Sequence, residues 1–318
     1  MRLLVTGALG HIGSRLIRDL PFAFPDSEIV MVDAVLTQRY CSLFNLPREG
    51  RYRFVEADIM AIDLEALFVD AAVVVHLAAI TDAAGSFDRA AEVESNNLSS
   101  TQKVAEACAH VGARLITLSS TSVYGTQGTV VDEDCSEEEL KPQSPYAQTK
   151  LKEERFVEQL TKEKGLKASI CRFGTIFGIA PGMRFHTAVN KFCWQAAMGQ
   201  PITVWKTAYE QKRPYLDLAD ACRAIEHIIR QDVFDGRTYN VLTRNYTVRE
   251  IVQQIQKFVP DIAVQFVDNQ IMNQLSFEVD DRRFRATGFV PLGSLEQSIY
   301  AELSLLNTHV GQELLRAL

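Results

Sequence analysis

Short apolar runs alternate with amphipathic segments along the first 174 residues of this chain. Several of the runs are almost wholly apolar, as strands covered by helices on both faces must be. The predicted strands are 3–5, 29–32, 52–56, 73–77, 114–119 and 168–172. The predicted helices between them are 11–20, 64–68, 90–111 and 146–164. Short parallel connections then give an α/β fold of the Rossmann type, a doubly wound parallel sheet.

The pattern changes after Gly174. A single predicted strand (202–205) stands among predicted helices at 187–199, 216–230, 247–259 and 295–318, the last with Leu303, Leu306, Val310 and Leu314 on one stripe. We therefore expect a main domain of residues 1–174, to which the chain returns near 212–242. A smaller α/β lobe would be formed by residues 175–211 and 243–318. Ligands of such sheets bind beyond the carboxyl ends of the strands, so the lobe is expected to bind the substrate there.

Composition and charge exclude several classes of protein. The 318 residues are 47% hydrophobic and carry a net charge of −7, whereas nucleic-acid-binding proteins present a basic face. No apolar run reaches the roughly 18 residues of a membrane span, and the first strand leaves no room for a leader segment. Six cysteines and six histidines lack the spacing of metal ligands, so we expect a cytoplasmic protein without a metal site. The acidic run 131–141 is expected to be a solvated loop.

Three glycines follow the first predicted strand. Gly7, Gly10 and Gly13 have the spacing GxxGxxG between a strand and a helix, where they allow a pyrophosphate to approach the amides of the helix N-terminus. The second strand ends in Asp33, at the distance of about 20 residues that the dinucleotide fingerprint requires. A carboxylate there accepts the ribose hydroxyls of NAD and repels the 2′-phosphate of NADP. The alternative is an aspartate that only caps the strand; the glycines favour NAD as cofactor.

A YxxxK spacing points to an enzyme. Tyr146 and Lys150 lie four residues apart on one face of a helix that begins after Pro145. An adjacent ammonium and the positive nicotinamide of the cofactor would both favour the phenolate and lower the tyrosine pKa from about 10, which makes Tyr146 a candidate general base. Such a pair also occurs by chance on surface helices. Here the hydroxyl-rich segment 119–125 (SSTSVYG) follows a strand of the same sheet and can share the proton.

Together these motifs resemble the extended short-chain dehydrogenase/reductase superfamily, in particular its NAD-dependent nucleotide-sugar epimerase/dehydratase group, which includes UDP-glucose 4-epimerase. The similarity covers almost the whole chain. The segments that carry it are 6–13 (TGALGHIG), 58–59 (DI), 74–79 (VVHLAA), 97–101 (NLSST), 119–125, 146–150 (YAQTK), 172–178 (RFGTIFG), 213–220 (RPYLDLAD) and 288–291 (GFVP).

The resemblance implies a role for each matched residue. Ser120, Tyr146 and Lys150 would be catalytic, with Tyr146 as the base. The residues that would bind NAD are Gly7, Gly10, His11, Ile12, Asp33, Asp58, Ile59, Leu77, Ala78, Ala79, Asn97, Ser119, Tyr146, Lys150 and Phe173. The residues that would contact the substrate are Thr121, Ser122, Thr175, Arg184, Asn190 and Arg213. Arg213 would grip the substrate diphosphate or, alternatively, form a structural salt bridge.

Two departures from the resemblance narrow the expected reaction. Related 4,6-dehydratases have a carboxylate-containing acid–base pair, and decarboxylating relatives a glutamate, where this chain has Thr121 and Ser122. Thr175 stands where many relatives have asparagine, which leaves the sugar open. The expected function is an NAD-dependent epimerase of a nucleoside-diphosphate sugar, which oxidises C4 transiently and returns the hydride. The alternatives are a net dehydrogenase or ketosugar reductase, and a non-catalytic NAD-binding scaffold.

The resemblance also implies a homodimer. Relatives pair the helices corresponding to 90–111 and 146–164 across a two-fold axis. Val93, Leu98, Val104 and Phe156 would then supply apolar contacts, unless they face their own sheet. No nucleic-acid or membrane partner is expected.

Overall fold

The computed structural model describes residues 1–81, 86–125, 130–136, 138, 140–268 and 276–306. Seven strands of this part of the chain form one parallel sheet. Strands are numbered along the whole chain, including those outside this sheet. The strands of this sheet are β1 (Arg2–Thr6), β2 (Glu28–Asp33), β3 (Arg51–Glu56), β4 (Val73–His76), β5 (Arg114–Ser120), β7 (Ala168–Phe173) and β11 (Thr238–Val241). Their order is β11-β7-β5-β4-β1-β2-β3, so the winding reverses between β1 and β4, where ligands of such sheets bind.

Helices cover both faces of this sheet. On one face lie α1 (His11–Ala23) and α6 (Leu218–Gln231). On the other lie α2 (Leu64–Phe68), α3 (Ala90–Val111) and α4 (Pro145–Lys164). Strands β4 and β7 are buried along their whole length, which explains why their sequences do not alternate between apolar and polar residues.

A second apolar core is built by the later part of the chain. It consists of helices α5 (Ala188–Ala197), α7 (Val248–Phe258) and α9 (Leu295–Leu306) with strand β9 (Ile202–Trp205), which pairs in parallel with β13 (Val264–Val267). A three-stranded sheet has the order β12-β10-β8, formed by β8 (Thr175–Phe177), β10 (Lys212–Asp217) and β12 (Arg244–Thr247). The smaller elements are the pair β6 (Val130–Val131) and β14 (Glu278–Val279), helix α8 (Arg282–Arg285) and the 3-10 turns Tyr40–Leu43, Thr121–Val123 and Lys206–Ala208.

The predicted α/β fold with a doubly wound parallel sheet is confirmed. The helix predicted at 216–230 begins only at Leu218, because 212–217 form β10 and the Asp217 carboxylate caps the helix by accepting from Ala219 N at 2.8 Å. The acidic run 131–141 begins inside β6, where a loop was expected. The predicted helix 295–318 is described as far as Leu306, and Val310 and Leu314 lie outside the described residues.

The division into a main domain and a lobe stays a prediction. The separate core of α5, α7 and α9 supports it, but Ala180, Phe284 and Phe289 of the predicted lobe pack in the core of the main sheet. Strand β11 joins the main sheet, as expected of a return near 212–242, whereas β10 pairs with β8 and β12. Within the described ranges, no helix combines the length and the apolar character of a membrane span.

Candidate active site

Two glycines where β1 passes into α1 have no room for a side chain. Gly7 has a φ of +64°, and a Cβ there would lie 2.6 Å from the backbone nitrogen of Ala78. A Cβ at Gly13 would lie 2.4 Å from Gly7 O. Gly10 precedes α1 without a side-chain cap, and the described first turn carries no acidic residue, so the amides at this helix N-terminus are available to an anion. These features fit the pyrophosphate of a dinucleotide.

Asp33 ends β2 beside this turn. Its carboxylate accepts from Leu9 N at 3.0 Å and from Val35 N at 2.8 Å, which ties the glycine turn to β2. Val35 has a φ of +53°, which is costly for a β-branched residue. Each carboxylate oxygen retains acceptor capacity for a ribose hydroxyl. The geometry therefore fits the ribose role predicted for Asp33.

Residues 178–184 form a strap that lies against the glycine turn. Within it, Gly182 N donates to Ser14 Oγ at 3.0 Å, and a Cβ at Gly182 would lie 2.2 Å from Leu9 O. His11 Nε2 donates to Gly178 O at 2.7 Å. Burial lowers the pKa of His11 to about 4, so the ring is neutral at neutral pH. Because its side chain is engaged with the strap, His11 would contact a cofactor through its backbone amide.

Helix α5 holds the strap at two points. The Asn190 side chain accepts from Gly178 N at 3.2 Å and donates to Arg184 O at 2.9 Å, and it is fully buried. The Arg184 guanidinium donates to Thr81 Oγ1. Both residues were predicted to contact the substrate. That role stays a prediction, and for Asn190 the structure shows a side chain engaged by the backbone of the strap.

Strand β5 ends in hydroxyl side chains. Ser120 Oγ accepts from Ser122 N at 3.2 Å and from Ser122 Oγ at 2.9 Å, which leaves the Ser120 proton free to be donated. Thr121 Oγ1 donates to Phe173 O, at the end of β7, at 3.3 Å. The buried Ser119 Oγ has no hydrogen-bond partner among the described residues. This edge of the sheet therefore presents hydroxyl groups at positions 119–122.

Helix α4 brings the predicted tyrosine–lysine pair to these hydroxyls. It begins at Pro145, is capped by the Ser144 side chain, and packs against the 3-10 turn Thr121–Val123. Lys150 Nζ lies 5.9 Å from the centroid of the Tyr146 ring. The two segments that the sequence predicted to be catalytic therefore adjoin.

Burial changes the predicted acidity of Tyr146. Burial raises the pKa of Tyr146, and the Lys150 ammonium opposes this rise without cancelling it. The lowering expected from the sequence is therefore not found in the chain itself, because the cost of burying a phenolate outweighs the nearby charge.

Lys150 has a partner that the sequence analysis missed. Lys150 Nζ donates to Glu153 Oε2 at 2.9 Å, and the same oxygen accepts from Thr101 Oγ1 of α3 at 2.8 Å. All three side chains are buried. Glu153 lies three residues after Lys150 on α4, a helical spacing that brings a carboxylate next to an ammonium and could have identified the pair.

A second buried ion pair attaches α4 to the sheet. Arg172 of β7 donates from Nε and Nη2 to the two carboxylate oxygens of Glu154, at 2.9 and 2.7 Å. Its Nη1 donates to Tyr124 OH at 2.8 Å, and that hydroxyl donates to Asn240 Oδ1 at 2.8 Å. All four residues are buried, with at most 4% of their surface exposed. The network therefore fixes the helix that carries Tyr146.

Arg213, near the start of β10, is the cation predicted to bind a diphosphate. Its guanidinium lies 4.6 Å from the centroid of the Phe277 ring, and it forms no ion pair with a carboxylate in the described part of the chain. Burial lowers the pKa of Arg213 to about 10, so its charge gains from a bound anion. Thr175 lies on the neighbouring strand, opposite Tyr215. The alternative of a structural salt bridge is not found among the described residues.

The predicted cofactor floor follows β4. Leu77 N and Ala78 N both approach Thr6 Oγ1, at 3.3 and 3.4 Å, and Ala79 comes next in the chain. Ile12 packs partly against the core of the main sheet. This backbone is therefore fixed against the end of β1, next to the glycine turn.

Two side chains that were predicted to bind NAD form hydrogen bonds with the backbone of the chain. Asp58 is exposed and accepts from its neighbour Met60 N at 2.8 Å. The buried Asn97 side chain donates to Ile80 O at 2.9 Å and accepts from Ile80 N at 2.8 Å. Ile59 is buried in the apolar core that α2, α3 and α4 form with the main sheet. Contacts of these residues with a cofactor stay predictions.

Comparison with known proteins identifies the family. Residues 3–241 match the NAD dependent epimerase/dehydratase family. The chain belongs to this family. The resemblance predicted from the motifs is confirmed, and NAD as cofactor is confirmed with it.

Three proteins show what this member of the family is similar to. A trifunctional UDP-glucose 4,6-dehydratase/UDP-4-keto-6-deoxy-D-glucose 3,5-epimerase/UDP-4-keto-L-rhamnose-reductase of Arabidopsis thaliana is 29% identical over 315 residues, which cover 93% of this chain and 46% of that protein. An uncharacterized UDP-glucose epimerase of Bacillus subtilis (strain 168) is 29% identical over 271 residues, 83% of this chain and 82% of that protein. The UDP-glucuronic acid 4-epimerase of Bacillus cereus, solved with UDP-glucuronic acid and NAD, has a TM-score of 0.88 at 26% identity and covers 96% of this chain and 99% of that chain.

The matched lengths differ between these proteins. The chain spans about half the length of the Arabidopsis relatives that it matches, and nearly the whole of the Bacillus cereus structure.

Proposed function

We propose that this chain is an NAD-dependent 4-epimerase of a nucleoside-diphosphate sugar. One observation carries the proposal: helix α4, which holds Tyr146 and Lys150, packs against the 3-10 turn that follows Ser120, and positions 121 and 122 hold hydroxyl side chains. This set can move one proton and polarise one carbonyl, but it lacks the carboxylate acid that related dehydratases use to eliminate water. The 4-epimerase named above, with its high structural similarity, supports the same reaction.

The proposed cofactor site lies at the switch point of the main sheet. NAD, when bound, supplies the acceptor for a hydride from the sugar and returns it. We assign its pyrophosphate to the amides at the start of α1, because the glycine turn admits no side chain there. We assign the adenosine ribose to Asp33 and the nicotinamide ribose to Lys150.

Tyr146 is the proposed base. Its phenolate oxygen takes the proton of the C4 hydroxyl as C4 is oxidised, and it returns the proton to the C4 oxygen in the second half of the reaction. The Lys150 ammonium stabilises the phenolate by its charge. Ser120 accepts hydrogen bonds from Ser122, so its own proton is donated to the C4 oxygen and polarises the carbonyl there. Groups of this kind contribute about 10²–10⁴-fold to a rate.

Arg213 is the proposed anchor for the substrate diphosphate. Its planar fork suits bidentate binding of phosphate oxygens, and the guanidinium lies over the ring of Phe277. Thr175 and Arg184 are proposed as further contacts to the substrate. Because the proteins named above carry UDP-sugars in their names, we propose a UDP-hexose as the substrate.

The strap favours an epimerase over a net dehydrogenase. It lies against the turn proposed to hold the pyrophosphate, which would slow exchange of the cofactor. Slow exchange suits a reaction that regenerates NAD in every turnover, whereas a dehydrogenase must release the reduced form. A non-catalytic scaffold would not need the complete set of Ser120, Tyr146 and Lys150.

A homodimer and a cytoplasmic location are part of the proposal. Val93 and Val104 cannot supply the predicted apolar contacts, because both are buried within this chain, Val104 in the core against the main sheet. Leu98 and Phe156 are half-buried and remain as candidate contacts on α3 and α4. Cys41, Cys108, Cys171, Cys193 and Cys222 are free thiols, which supports a reducing compartment. Sedimentation that shows a monomer at micromolar concentration would contradict the dimer.

A panel of nucleotide sugars tests the reaction. The protein loaded with NAD is incubated separately with UDP-, dTDP-, GDP- and CDP-hexoses, and both the isomer composition and the absorbance of reduced nicotinamide are followed. We expect one pair of 4-epimers to interconvert without accumulation of reduced cofactor. Accumulation in step with product would replace the epimerase by a dehydrogenase. Tight NAD binding without turnover of the panel would favour the scaffold.

A further inference from the structure

We propose that Glu153 is a positioning residue for the base: together with Thr101 it holds the Lys150 ammonium beside Tyr146 and adds a buried negative charge next to that pair. The inference rests on the proposed function in so far as Tyr146 is named the base. Neither Glu153 nor Thr101 belongs to the residues that the motifs single out.

The contacts form a chain between two helices. Glu153 Oε2 accepts from Lys150 Nζ at 2.9 Å, within α4, and from Thr101 Oγ1 of α3 at 2.8 Å. The side chains of Lys150 and Glu153 are 7% and 3% exposed, and Thr101 is 1% exposed. One carboxylate oxygen therefore holds the ammonium against both helices, out of contact with solvent.

Burial gives this pair its importance. An ammonium removed from water is costly unless a counter-ion compensates it, and Glu153 is the carboxylate in contact with Lys150. Burial by itself lowers the pKa of Lys150, but the pairing with Glu153 outweighs it, so that the pKa is raised. Glu154 acts on Lys150 in the same direction from further away. Glu153 therefore favours the charged lysine, and Glu154 still favours that charge once Glu153 is made neutral.

The same carboxylate acts on the base. The charged groups that face Tyr146 are Lys150 and Arg184, which favour its phenolate, and Glu153, which opposes it. His76 of β4 also lies near Lys150, but burial lowers the pKa of His76 to about 3 and leaves it neutral. Glu153 is thus the negative charge among these neighbours of Tyr146. Its removal should lower the pKa of Tyr146.

The variant Glu153→Gln tests this assignment. It preserves the size of the side chain and an acceptor for Lys150 and Thr101, but it removes the charge. In the protein without NAD, the tyrosinate absorbance of Tyr146 is obtained as the difference between each chain and its Tyr146→Phe derivative. We expect the Tyr146 titration to move to lower pH, because the charge that opposes the phenolate has been removed.

The matched control is Glu158→Gln. Glu158 is one turn further along α4, half-buried, and also accepts from a threonine hydroxyl, that of Thr238 at 3.2 Å. It is not among the groups that act on Tyr146, so the titration should stay at the parent value. An unshifted titration in Glu153→Gln, or an equal shift in Glu158→Gln, would overturn the assignment.

A measurement on the unsubstituted chain covers the case in which Glu153→Gln does not fold. With carbon label at the glutamate carboxyl groups, NMR should show the carboxyl in contact with Thr101 to be ionised at neutral pH, and a protonated carboxyl there would refute the proposal. Failure of the proposed function would be seen separately, as a chain that turns over no nucleotide sugar although the Tyr146 titration moves as expected.

Discussion

The strap makes a sharp prediction about retention of NAD. A methyl group at Gly182 would lie 2.2 Å from Leu9 O and 2.6 Å from Gly10 O, both backbone atoms of the glycine turn. To reach 3.4 Å, where ordinary contact begins, the strap must retreat by about 1.2 Å. A retreat of that size also takes Gly182 N, now 3.0 Å from Ser14 Oγ, out of hydrogen-bond range. Gly182→Ala should therefore open the strap.

The size of the effect follows from the cost of overpacking. Forcing a methyl group into a filled site costs about 1–3 kcal/mol, which corresponds to roughly a 5–150-fold change in an equilibrium. If NAD leaves through the opened strap, its residence time on Gly182→Ala should shorten by a factor in that range. The assay loads the protein with NAD, removes free cofactor by gel filtration, and follows the bound fraction with time.

The control for this assay is Gly112→Ala. Gly112 ends α3 with a φ of +76° and open space around its Cα, so alanine there strains the backbone far from the strap. This variant should lose stability but retain NAD as long as the parent chain does. Equal retention in Gly182→Ala and the parent, or equally fast release from both variants, would refute the role of the strap.

Three further predictions concern the base, the cofactor and the attachment of α4. Tyr146→Phe should keep NAD bound but lower turnover by about 10²–10⁴-fold, more than Ser120→Ala does; a parental rate would exclude Tyr146 as base. Asp33→Asn should narrow the preference for NAD over NADP in binding titrations, and an unchanged ratio would argue against the ribose role. Glu154→Gln leaves the buried Arg172 charge without its partner and should lower the free energy of unfolding by about 3–5 kcal/mol. Denaturant unfolding measures this loss, and a stability equal to that of the parent would contradict it.

The central strands of the main sheet could be predicted from the sequence because they are buried on both faces, unlike the edge strand β3. A strand such as β4 (VVVH) contains no alternation that could be confused with a helix face. The missed strands are different: β13 is half-exposed to exposed along its length, and β12 carries polar residues (RNYT). Their pairing depends on partners far along the chain, and local sequence does not show those partners.

The candidate site was predictable where spacing defines it and not where packing does. The glycines, Asp33 and the pair Tyr146–Lys150 stand at fixed distances along the chain, so the pattern identified them. Glu153 and Glu154 belong to a run of mostly charged residues (KLKEER), which predicts a solvent-exposed helix surface. Both are buried because α3 and β7 close over them, which only the assembled structure shows.

The path of the chain between the two sheets bears on protein engineering. One residue, Gly174, separates β7 in the main sheet from β8 in the small one, and two residues separate β11 from β12. The chain crosses again from β10 into α6, where Leu218 packs in the core of the main sheet. A chimaera that takes its substrate lobe from another member of the family would need junctions at each of these crossings and on both sides of α8, because Phe284 of α8 also packs in the core of the main sheet. Substrate specificity is therefore easier to change by substituting single residues on β8 and β10 than by exchanging a contiguous segment.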